Sequence, residues 1–402
     1  MKRYNIGLIG FGCVGQGFYE VLKANPSIPA QITKIVVKDA SKERAVDRNL
    51  LSFNIDELIN DPAIDMVVEL IDDVDVAYDI LKKSLSLHKP VVTANKKMVA
   101  ENLSELISLQ TLYKTPILYE GAVCGSIPII QTIDRYYQSE NITSISGIFN
   151  GSTNYILTKI LEQNLTYDEA LQEAQENGFA ESDPILDVGG FDPKFKLSIL
   201  VRHAFGHWVH PDQILHWGIN KLQNQDFDFA KANGLKIKLV AKADYKNGSL
   251  SLTVAPHFVN AQDPLFYIDN ENNVVIIDGE FVGRQTLAGK GAGSHPTGLA
   301  VLSDVKAIIY GTAYHYKIPL EFIIPDSVID VYVRYDATTD FVVELFESIS
   351  EKYVGKQSSY VLGSIKLNQL KSILNIDNVN AIVMTQEKKE LQTTKLTYSY
   401  AS

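Results

Sequence analysis

The sequence predicts an α/β protein in three parts: a parallel sheet at the N-terminus, an α+β domain in the middle and a small α/β module at the C-terminus. Three observations predict this class. Short apolar runs alternate with helix-period segments up to about residue 119, a glycine-rich turn joins the first run to the first helical segment, and the alternation ends after about residue 140.

The N-terminal part has the pattern of strands joined by helices. Apolar runs predict strands over residues 6–9, 32–37, 66–70, 91–93 and 117–119. Amphipathic segments between them predict helices over residues 14–24, 76–87 and 103–113. Because strands that alternate with helices pair in parallel, we expect one parallel sheet here.

The rest of the chain lacks this regular alternation. Strands are predicted over residues 142–149, 237–243, 250–257 and 273–278, and helices over 128–137, 154–163 and 167–177. A glycine-rich turn at 289–293 leads into an apolar helix at 297–310, which we expect to return to the first domain. The tail has strand-like runs at 328–335 and 379–385 and a helix-like run at 341–352. The expected domains are 1–140 with about 293–320, then 141–292, then 321–402.

Composition and charge limit the classes of partner. The chain has 402 residues, more than one hydrophobic core usually serves, and carries 37 Lys plus Arg against 48 Asp plus Glu. A net charge of −11 opposes binding to nucleic acid or to an anionic membrane surface, and no segment approaches the roughly 20 apolar residues of a membrane helix. Cys13 and Cys124 are too few for a disulfide framework or a thiolate metal site. We therefore expect a cytoplasmic protein without a nucleic-acid or membrane partner.

The glycine-rich turn after the first strand is Gly10-Phe11-Gly12-Cys13-Val14-Gly15. In this context the first glycine permits a tight turn, the second lets a pyrophosphate approach the backbone, and the third allows close helix–strand packing. The helix N-terminus also favours phosphate. The turn predicts a Rossmann site for a nicotinamide dinucleotide, with Gly10, Gly12, Cys13, Val14 and Gly15 against the cofactor. The alternative is a glycine turn that only packs.

The end of the second strand leaves the choice of dinucleotide open. Asp39 stands where an acid accepts hydrogen bonds from the adenosine ribose, which favours NAD. Lys38, Lys42 and Arg44 crowd the same turn and favour the additional phosphate of NADP. A solvated charged loop is the third interpretation.

A carboxylate-rich loop precedes a predicted helix that begins with Asp192 and Pro193, a typical cap and first-turn pair. Lys196 lies four residues after Asp192 and therefore shares a helix face with it. Such a lysine can transfer a proton at a substrate carbonyl as hydride moves, with the acid orienting it. The alternatives are a plain helix cap and a surface ion pair. Glu181 and Asp187 belong either to this site, to a cation site or to a solvated loop.

Several ordered blocks of sequence resemble the homoserine dehydrogenases. The most specific is residues 187–196 (DVGGFDPKFK). The others are residues 93–96 (TANK), 150–156 (NGSTNYI), 180–184 (AESDP), and 291–293 (GAG) followed by Pro296 and Thr297. The resemblance runs through most of the chain to about residue 310.

The resemblance implies a role for each matching residue. Lys196 is the proton donor or acceptor at the reacting oxygen, Asp192 is its neighbour, and Lys96 lies at the junction of cofactor and substrate, the alternative for Lys96 being a surface lysine. Glu181 binds the substrate amino group, and Asp187 belongs to the same substrate site. Thr93 and Gly293 are implied to contact the cofactor.

The implied reaction is NAD(P)-dependent interconversion of L-aspartate 4-semialdehyde and L-homoserine, in the pathway to threonine and methionine. The resemblance also implies a homodimer and a monovalent cation, Na⁺ or K⁺. The cation site is implied for Glu120 with the carbonyls of Val123, Gly125 and Ile127. The tail from about Glu321 is similar in element order to the regulatory ACT module.

Two other functions remain as alternatives. The turn alone would permit a Rossmann oxidoreductase acting on a different amino-acid-derived carbonyl. Asp72 and Asp73 stand where the family usually has two glycines, and their charge near the cofactor cleft motivates a non-catalytic, cofactor-binding regulator.

Overall fold

The computed structural model describes residues 2–39, 41–319, 321–336, 343–356 and 358–385. Its described strands form two sheets, a six-stranded sheet at the N-terminus and a ten-stranded sheet that takes strands from the rest of the chain. The mixed α/β class with an N-terminal parallel sheet is therefore confirmed.

The N-terminal sheet is parallel throughout, with strand order β3-β2-β1-β4-β5-β6. Its strands are β1 (Tyr4–Ile9), β2 (Ala30–Val36), β3 (Leu51–Ser52), β4 (Met66–Glu69), β5 (Val91–Thr93) and β6 (Ile117–Leu118), and its helices are α1 (Cys13–Ala24), α2 (Ile55–Ile59), α3 (Val74–Ser86) and α4 (Lys96–Tyr113). The strand order reverses between β1 and β4, which is where ligands bind in such sheets. The short elements β3 and α2 have no periodic signal and were not predicted.

After the first sheet, one helix precedes the first strand of the second sheet, β7 (Ile142–Ile148), and five more lie between β7 and β9 (Lys236–Lys246) of that sheet. The helices are α5 (Ile129–Gln131), which continues as a π-helical turn over Thr132–Tyr136, then α6 (Gly151–Gln163), α7 (Tyr167–Glu176), α8 (Ile185–Val188), α9 (Phe191–Phe205) and α10 (Asn224–Ala232). Helices α6 and α9 pack on one face of the second sheet. In β9 that face holds Ala241 and Ala243, and the alternate residues Val240 and Lys242 point to the other face.

The second sheet is mixed, in the order β12-β11-β7-β9-β10-β16-β13-β15-β14, with β8 paired to β10. Its strands are β7 (Ile142–Ile148), β8 (Leu215–His216), β9 (Lys236–Lys246), β10 (Ser249–Val259), β11 (Asn272–Gly279), β12 (Gly283–Lys290), β13 (Val328–Asp336), β14 (Phe346–Val354), β15 (Ser358–Lys366) and β16 (Asn380–Met384). The predicted turn at 289–293 is shorter than expected, because its first two residues end β12.

Helix α11 (Ser294–Ile309) follows this turn and packs against α1. Two glycines allow the close approach. A Cβ on Gly17 would lie 2.0 Å from the carbonyl oxygen of Ser294, and one on Gly298 would lie 2.5 Å from the backbone nitrogen of Phe18. The segment around 294–309 therefore lies with the N-terminal sheet. None of the described helices combines the length and apolar character that crossing a membrane requires.

The tail differs from its prediction. The helix expected over 341–352 is wrong: residues 341–342 lie outside the described residues, Val343–Leu345 is a short 3₁₀ turn, and Phe346–Val354 is strand β14. Its pairing with β15 contains two irregularities, which break the two-residue alternation that identifies a strand. Strand β15 and helix α12 (Leu367–Leu374) were not predicted. Parts of the expected 321–402 module, residues 337–342, 357 and 386–402, also lie outside the described residues.

Candidate active site

The glycine-rich turn has three glycines with three different surroundings. Gly10 has φ +95°, and a Cβ there would lie 2.4 Å from the carbonyl oxygen of Leu70. A Cβ on Gly15 would lie 2.4 Å from the carbonyl oxygen of Gly10. A Cβ on Gly12 would meet nothing within 4 Å. Gly10 and Gly15 are thus required by packing, whereas Gly12 leaves open space in front of the N-terminus of α1, where a phosphate is favoured.

The first helix begins directly at the predicted cofactor turn. Cys13 is exposed and Val14 is half-buried at its first two positions, and no acidic residue lies in the first turn. The backbone N–H groups at this end are therefore not opposed by a local carboxylate.

Lys38 and Asp39 both lie at the surface after β2. The Asp39 carboxylate accepts hydrogen bonds from the backbone N–H and hydroxyl of Ser41, and these bonds lower its pKa. The Arg44 guanidinium donates to the carbonyl oxygens of Asp39 and Lys42, so it folds back onto its own loop. This arrangement keeps Asp39 ionised but does not by itself select NAD or NADP.

Asp192 is not the cap of its helix, which corrects the prediction. Helix α9 starts two residues earlier, after Gly190 at φ +83°, and Asp192 lies inside the first turn. Its Oδ2 instead accepts a hydrogen bond from Lys196 Nζ at 2.7 Å, as the four-residue spacing predicted. Lys196 Nζ also donates to the carbonyl oxygen of Phe149 at 2.6 Å. Both side chains are buried, so the lysine is held by two acceptors.

Lys96 joins this cluster from a helix of the N-terminal sheet. It is the first residue of α4, which Asn95 caps by accepting from the N–H of Met98. Lys96 Nζ lies 2.6 Å from Asp192 Oδ1, and the side chain of Lys96 is 44% exposed, against 3% for Asp192. The ammonium therefore stands at the mouth of the cluster, and its pKa is raised chiefly by Asp192. The contact with Asp192 distinguishes Lys96 from a surface lysine whose ammonium meets only solvent.

The charge on Asp192 results from opposing effects. Burial raises the pKa of this carboxyl, but Lys196 and Lys96 together outweigh burial and hold the pKa well below its usual range. Asp187 lies nearby, and burial followed by repulsion from Asp192 raises its pKa. Glu181 is exposed on the preceding loop and is close enough to raise the pKa of Lys96. The five predicted catalytic and substrate residues therefore lie in one region.

Asn150 links two of these carboxylates and was not predicted as a site residue. Its Nδ2 donates to Asp187 Oδ1 at 2.7 Å and to Asp192 Oδ2 at 2.9 Å. Its Oδ1 accepts from the backbone N–H of Thr153 and so caps α6. Only the block at 150–156 signalled this residue, and spacing rules could not reveal a contact with residues so far along the chain.

Two predicted cofactor residues differ in their surroundings. The Thr93 side chain is fully buried, and its hydroxyl donates a hydrogen bond to Glu69 Oε2 at 2.5 Å. Gly293 has φ +121° and precedes α11, and a Cβ there would meet only Pro296, at 3.5 Å. Gly293 is thus required by its backbone conformation, next to open space.

The segment expected to hold a cation contains a buried carboxylate that is already bonded. Both oxygens of Glu120 accept backbone hydrogen bonds, from Ile130 at 2.9 Å and from Gln131 at 2.7 Å. The carbonyl oxygen of Ile127 accepts from Ile129. Within the described ranges, no group of three or more His, Cys, Asp or Glu side chains could hold a metal ion. A cation here would therefore depend on backbone carbonyls.

Comparison with known proteins decides the family. The model of the homoserine dehydrogenase family matches residues 128–305, and that of the homoserine dehydrogenase NAD-binding domain matches residues 10–120. The chain is 36% identical over 318 residues to the homoserine dehydrogenase of Bacillus subtilis (strain 168), which covers 77% of this chain and 73% of that protein. The chain belongs to the homoserine dehydrogenase family.

Other homoserine dehydrogenases match more of the length. That of Lactococcus lactis subsp. lactis (strain IL1403) is 31% identical over 402 residues, 91% of this chain and 93% of that protein. The crystal structure of a homoserine dehydrogenase from Thiobacillus denitrificans superposes with a TM-score of 0.85 at 28% identity, covering 96% of this chain and 98% of that one. A hyperthermophilic archaeal homoserine dehydrogenase in complex with NADPH shares the fold, with a TM-score of 0.67, 24% identity, and coverage of 78% and 100%.

The predicted function is thereby confirmed. Enzymes of the homoserine dehydrogenase family contain an NAD-binding domain and oxidise a CH–OH group. In this chain the match to the NAD-binding domain comes first, and the match to the homoserine dehydrogenase domain follows it. Asp72 and Asp73 do not contradict this function. Asp73 caps α3 by accepting from the N–H of Val76 at 3.0 Å, which accounts for one of the two carboxylates.

Proposed function

We propose that Lys196 moves the proton at the reacting oxygen during interconversion of L-homoserine and L-aspartate 4-semialdehyde. The observation that carries this is the pair of acceptors on its buried ammonium, Asp192 Oδ2 and the carbonyl oxygen of Phe149. A lysine held in this way points in one direction, which proton transfer requires. When bound, NAD(P) supplies the hydride donor or acceptor.

The remaining polar groups suit an amino-acid substrate. Lys96 places a second ammonium on the opposite side of Asp192, where it can hold the reacting oxygen of the substrate. Glu181 is exposed and acidic, and Asp187 is fixed by Asn150, so together they offer negative charge to the substrate ammonium. The substrate thus lies between acids that bind its amino group and lysines that serve its oxygen.

The cofactor is NAD or NADP, held at the turn with Gly10, Gly12 and Gly15 and covered near Gly293. The open space at Gly12 fits a pyrophosphate against the N-terminus of α1. Asp39 favours NAD, and Lys38 favours NADP. A monovalent cation, Na⁺ or K⁺, is proposed for the carbonyls of the 123–127 segment, because hard cations bind such oxygens.

A homodimer is proposed through the second sheet. Its face opposite α6 and α9 carries an open groove of about 890 Å³, lined by Ser144, Lys242 and Thr253 among others. A sheet face of this size is typically covered in a stable assembly. Analytical ultracentrifugation of the full chain tests the dimer, and a monomer at micromolar concentration would contradict it.

We further propose that the enzyme is cytoplasmic, serves threonine and methionine biosynthesis, and carries an ACT-like tail.

The catalytic proposal is tested by following nicotinamide absorbance with purified protein, L-homoserine and either NAD or NADP. Lys196→Ala should lower kcat by about 10²- to 10⁴-fold, the usual contribution of a positioned acid or base, while the dinucleotide still binds. Lys194→Ala is a matched control, since Lys194 is a buried lysine of the same helix that pairs at 3.8 Å with Asp212 outside the cluster. Equal turnover by Lys196→Ala and the wild type would refute the role of this lysine.

A further inference from the structure

The buried carboxylate of Glu69 has no part in the site described so far. Glu69 ends β4 and is fully buried, with Ile9 of β1 and Thr93 of β5 as its register partners. Its Oε1 accepts a hydrogen bond from the N–H of Ile71 at 2.6 Å, and its Oε2 accepts from the Thr93 hydroxyl at 2.5 Å. The carboxylate therefore bonds to the two loops that follow β4 and β5.

These bonds close into a ring through Asn95. The N–H of Asn95 donates to Thr93 Oγ1 at 3.0 Å, and its Nδ2 donates to the carbonyl oxygen of Ile71 at 3.0 Å. The ring passes from Glu69 to Thr93, to Asn95, to Ile71 and back. It locks the two loops together at the reversal of strand order, beside the glycine-rich turn.

The ring also ends where α4 begins. Asn95 caps this helix with its Oδ1, and Lys96 is the first helical residue. The side chain of Lys96 is long and half-exposed, so the position of its ammonium depends on where the backbone of the first turn is held. That backbone is held by Asn95, and Asn95 is held by Thr93 and Ile71.

We propose that Glu69 is a positioning residue for Lys96: through Thr93 and Asn95 it fixes the first turn of α4 and so sets the contact between Lys96 and Asp192. This inference rests on the role proposed above for Lys96. The chemistry of the ring explains why an acid is present in an apolar sheet. Two donors, a hydroxyl and a backbone N–H, point at one side chain, and an apolar residue would leave both unpaired.

A buried carboxylate is costly, so the hydrogen bonds that it accepts must offset this cost. Burial raises the pKa of Glu69 to about 7, and Asp72 acts in the same direction. An apolar side chain of the same volume would avoid this cost but would leave the Thr93 hydroxyl and the Ile71 N–H unpaired. The acid therefore keeps the ring closed, and the ring holds the backbone from which Lys96 extends.

The test breaks the hydrogen-bonded ring at Thr93 and leaves Lys96 unchanged. Thr93→Val keeps the shape of the side chain and deletes the hydroxyl, and Thr93→Ser restores a hydroxyl. We expect Thr93→Val to lower kcat/KM for L-homoserine about 10-fold, since small displacements of reacting groups have effects of this size or larger. The dissociation constant of reduced dinucleotide, measured by its fluorescence, should stay close to the wild-type value, because the Thr93 hydroxyl is bonded to Glu69 and Asn95. Thr93→Ser should recover most of the loss in kcat/KM.

Two further variants separate positioning from general damage. Ile80→Val shortens a buried side chain of α3 in the same domain and should leave kcat/KM unchanged while lowering stability. In a Lys96→Ala background, Thr93→Val should not lower kcat/KM further, because the ammonium that the ring positions is absent.

The outcomes distinguish this inference from the proposed function. Wild-type kinetics in Lys96→Ala would contradict the role of Lys96 itself. A loss in Lys96→Ala with none in Thr93→Val would overturn only the positioning role of Glu69. An equal loss from Thr93→Val with and without Lys96, or a failure of Thr93→Ser to recover activity, would also overturn it.

Discussion

Asp192 lies one helical turn before Lys196, and its Oδ2 accepts a hydrogen bond from the Lys196 ammonium at 2.7 Å. The other carboxylate oxygen lies 2.6 Å from the ammonium of Lys96. One buried acid thus holds two cations, one from each sheet-bearing part of the chain. This arrangement makes Asp192 the electrostatic centre of the site.

Asp192→Asn should reduce both activity and stability. The substitution leaves two ammonium groups close together without a counter-charge, and removal of one partner from a buried pair typically costs about 3–5 kcal/mol. The folded-state pKa of Asp192 is lowered, so the stability it contributes is present above pH 3.8 and is lost as pH falls through the folded-state value. Urea unfolding of the variant and the wild type should therefore differ most near pH 7 and converge on acidification. Asp212→Asn, at an exposed partner of Lys194, should show no such difference.

Lys96→Ala should lower kcat/KM for homoserine by at least about 10-fold, because it removes a charge at the reacting groups. Lys97→Ala is the matched control. Lys97 is the next residue of the same helix, has similar exposure, and lies 4.0 Å from Glu101 on the helix surface. In steady-state kinetics, kcat/KM should fall in Lys96→Ala and stay at the wild-type value in Lys97→Ala. Equal kinetics would mean that Lys96 acts only as a surface lysine.

Alanine substitutions at two glycines of the turn should affect different properties, stability at Gly15 and cofactor binding at Gly12. Gly15→Ala places a Cβ 2.4 Å from the carbonyl oxygen of Gly10 and should lower thermal stability. Gly12→Ala meets no protein atom within 4 Å at a φ of −82°, so the variant should fold normally. Its methyl group would occupy the space of the pyrophosphate, and the dissociation constant of NAD(P)H should rise at least about 10-fold. Normal dinucleotide binding by Gly12→Ala would place the pyrophosphate elsewhere.

The features that sequence predicted well act over short distances. The glycines act on backbone within the same turn, and Asp192 reaches Lys196 along one helix face, so spacing alone reveals both. The contacts of Lys96 with Asp192 and of Asn150 with Asp187 join separate elements, and only resemblance to a family indicated those regions. The cap assigned to Asp192 is wrong because Gly190, at φ +83°, begins the helix before it, and the Asp192 carboxylate contacts two lysines instead. Strand β14 was mistaken for a helix because irregular pairing hides its alternation.

Glu69→Gln should change the pH dependence of stability. The folded-state pKa of Glu69 is about 7, above the ordinary value of 4.5. Below pH 4.5 the carboxyl is protonated in both states, and between pH 4.5 and 7 only the unfolded chain releases the proton, so the wild type loses stability as pH rises. The variant lacks this loss. Its free energy of unfolding, relative to the wild type, should rise by up to about 3 kcal/mol from pH 4.5 to pH 8. Each unit of difference between the folded-state and unfolded-state pKa corresponds to about 1.4 kcal/mol.

Urea titrations at several pH values check this prediction. Glu57→Gln in the same domain is the control, because Glu57 is exposed and should leave the pH dependence unchanged. A constant difference between Glu69→Gln and the wild type across this range would show that Glu69 is ionised throughout, contrary to the expected effect of burial.

A buried ion pair joins strand β13 to helix α10, and its loss should lower stability strongly. Arg334 of β13 donates through Nε to Asp226 of α10 at 3.0 Å and through Nη2 to the carbonyl oxygen of Lys221 at 2.8 Å. Both side chains are almost fully buried. Arg334→Met leaves the Asp226 carboxylate without its cation and should lower the free energy of unfolding by about 3–5 kcal/mol. Arg334→Lys should recover little, because a single ammonium cannot reproduce both directions of the guanidinium.

The double variant Arg334→Met with Asp226→Leu decides between two explanations. It removes the charge left behind, and buried pairs replaced by apolar residues are often close to neutral in stability. Recovery in the double variant would show that the cost of Arg334→Met comes from an uncompensated carboxylate, and loss equal to the single variant would show that the pair itself holds the tail. Lys366→Met at the half-exposed pair with Glu347 is the control and should have little effect, since exposed pairs contribute about 0–1 kcal/mol.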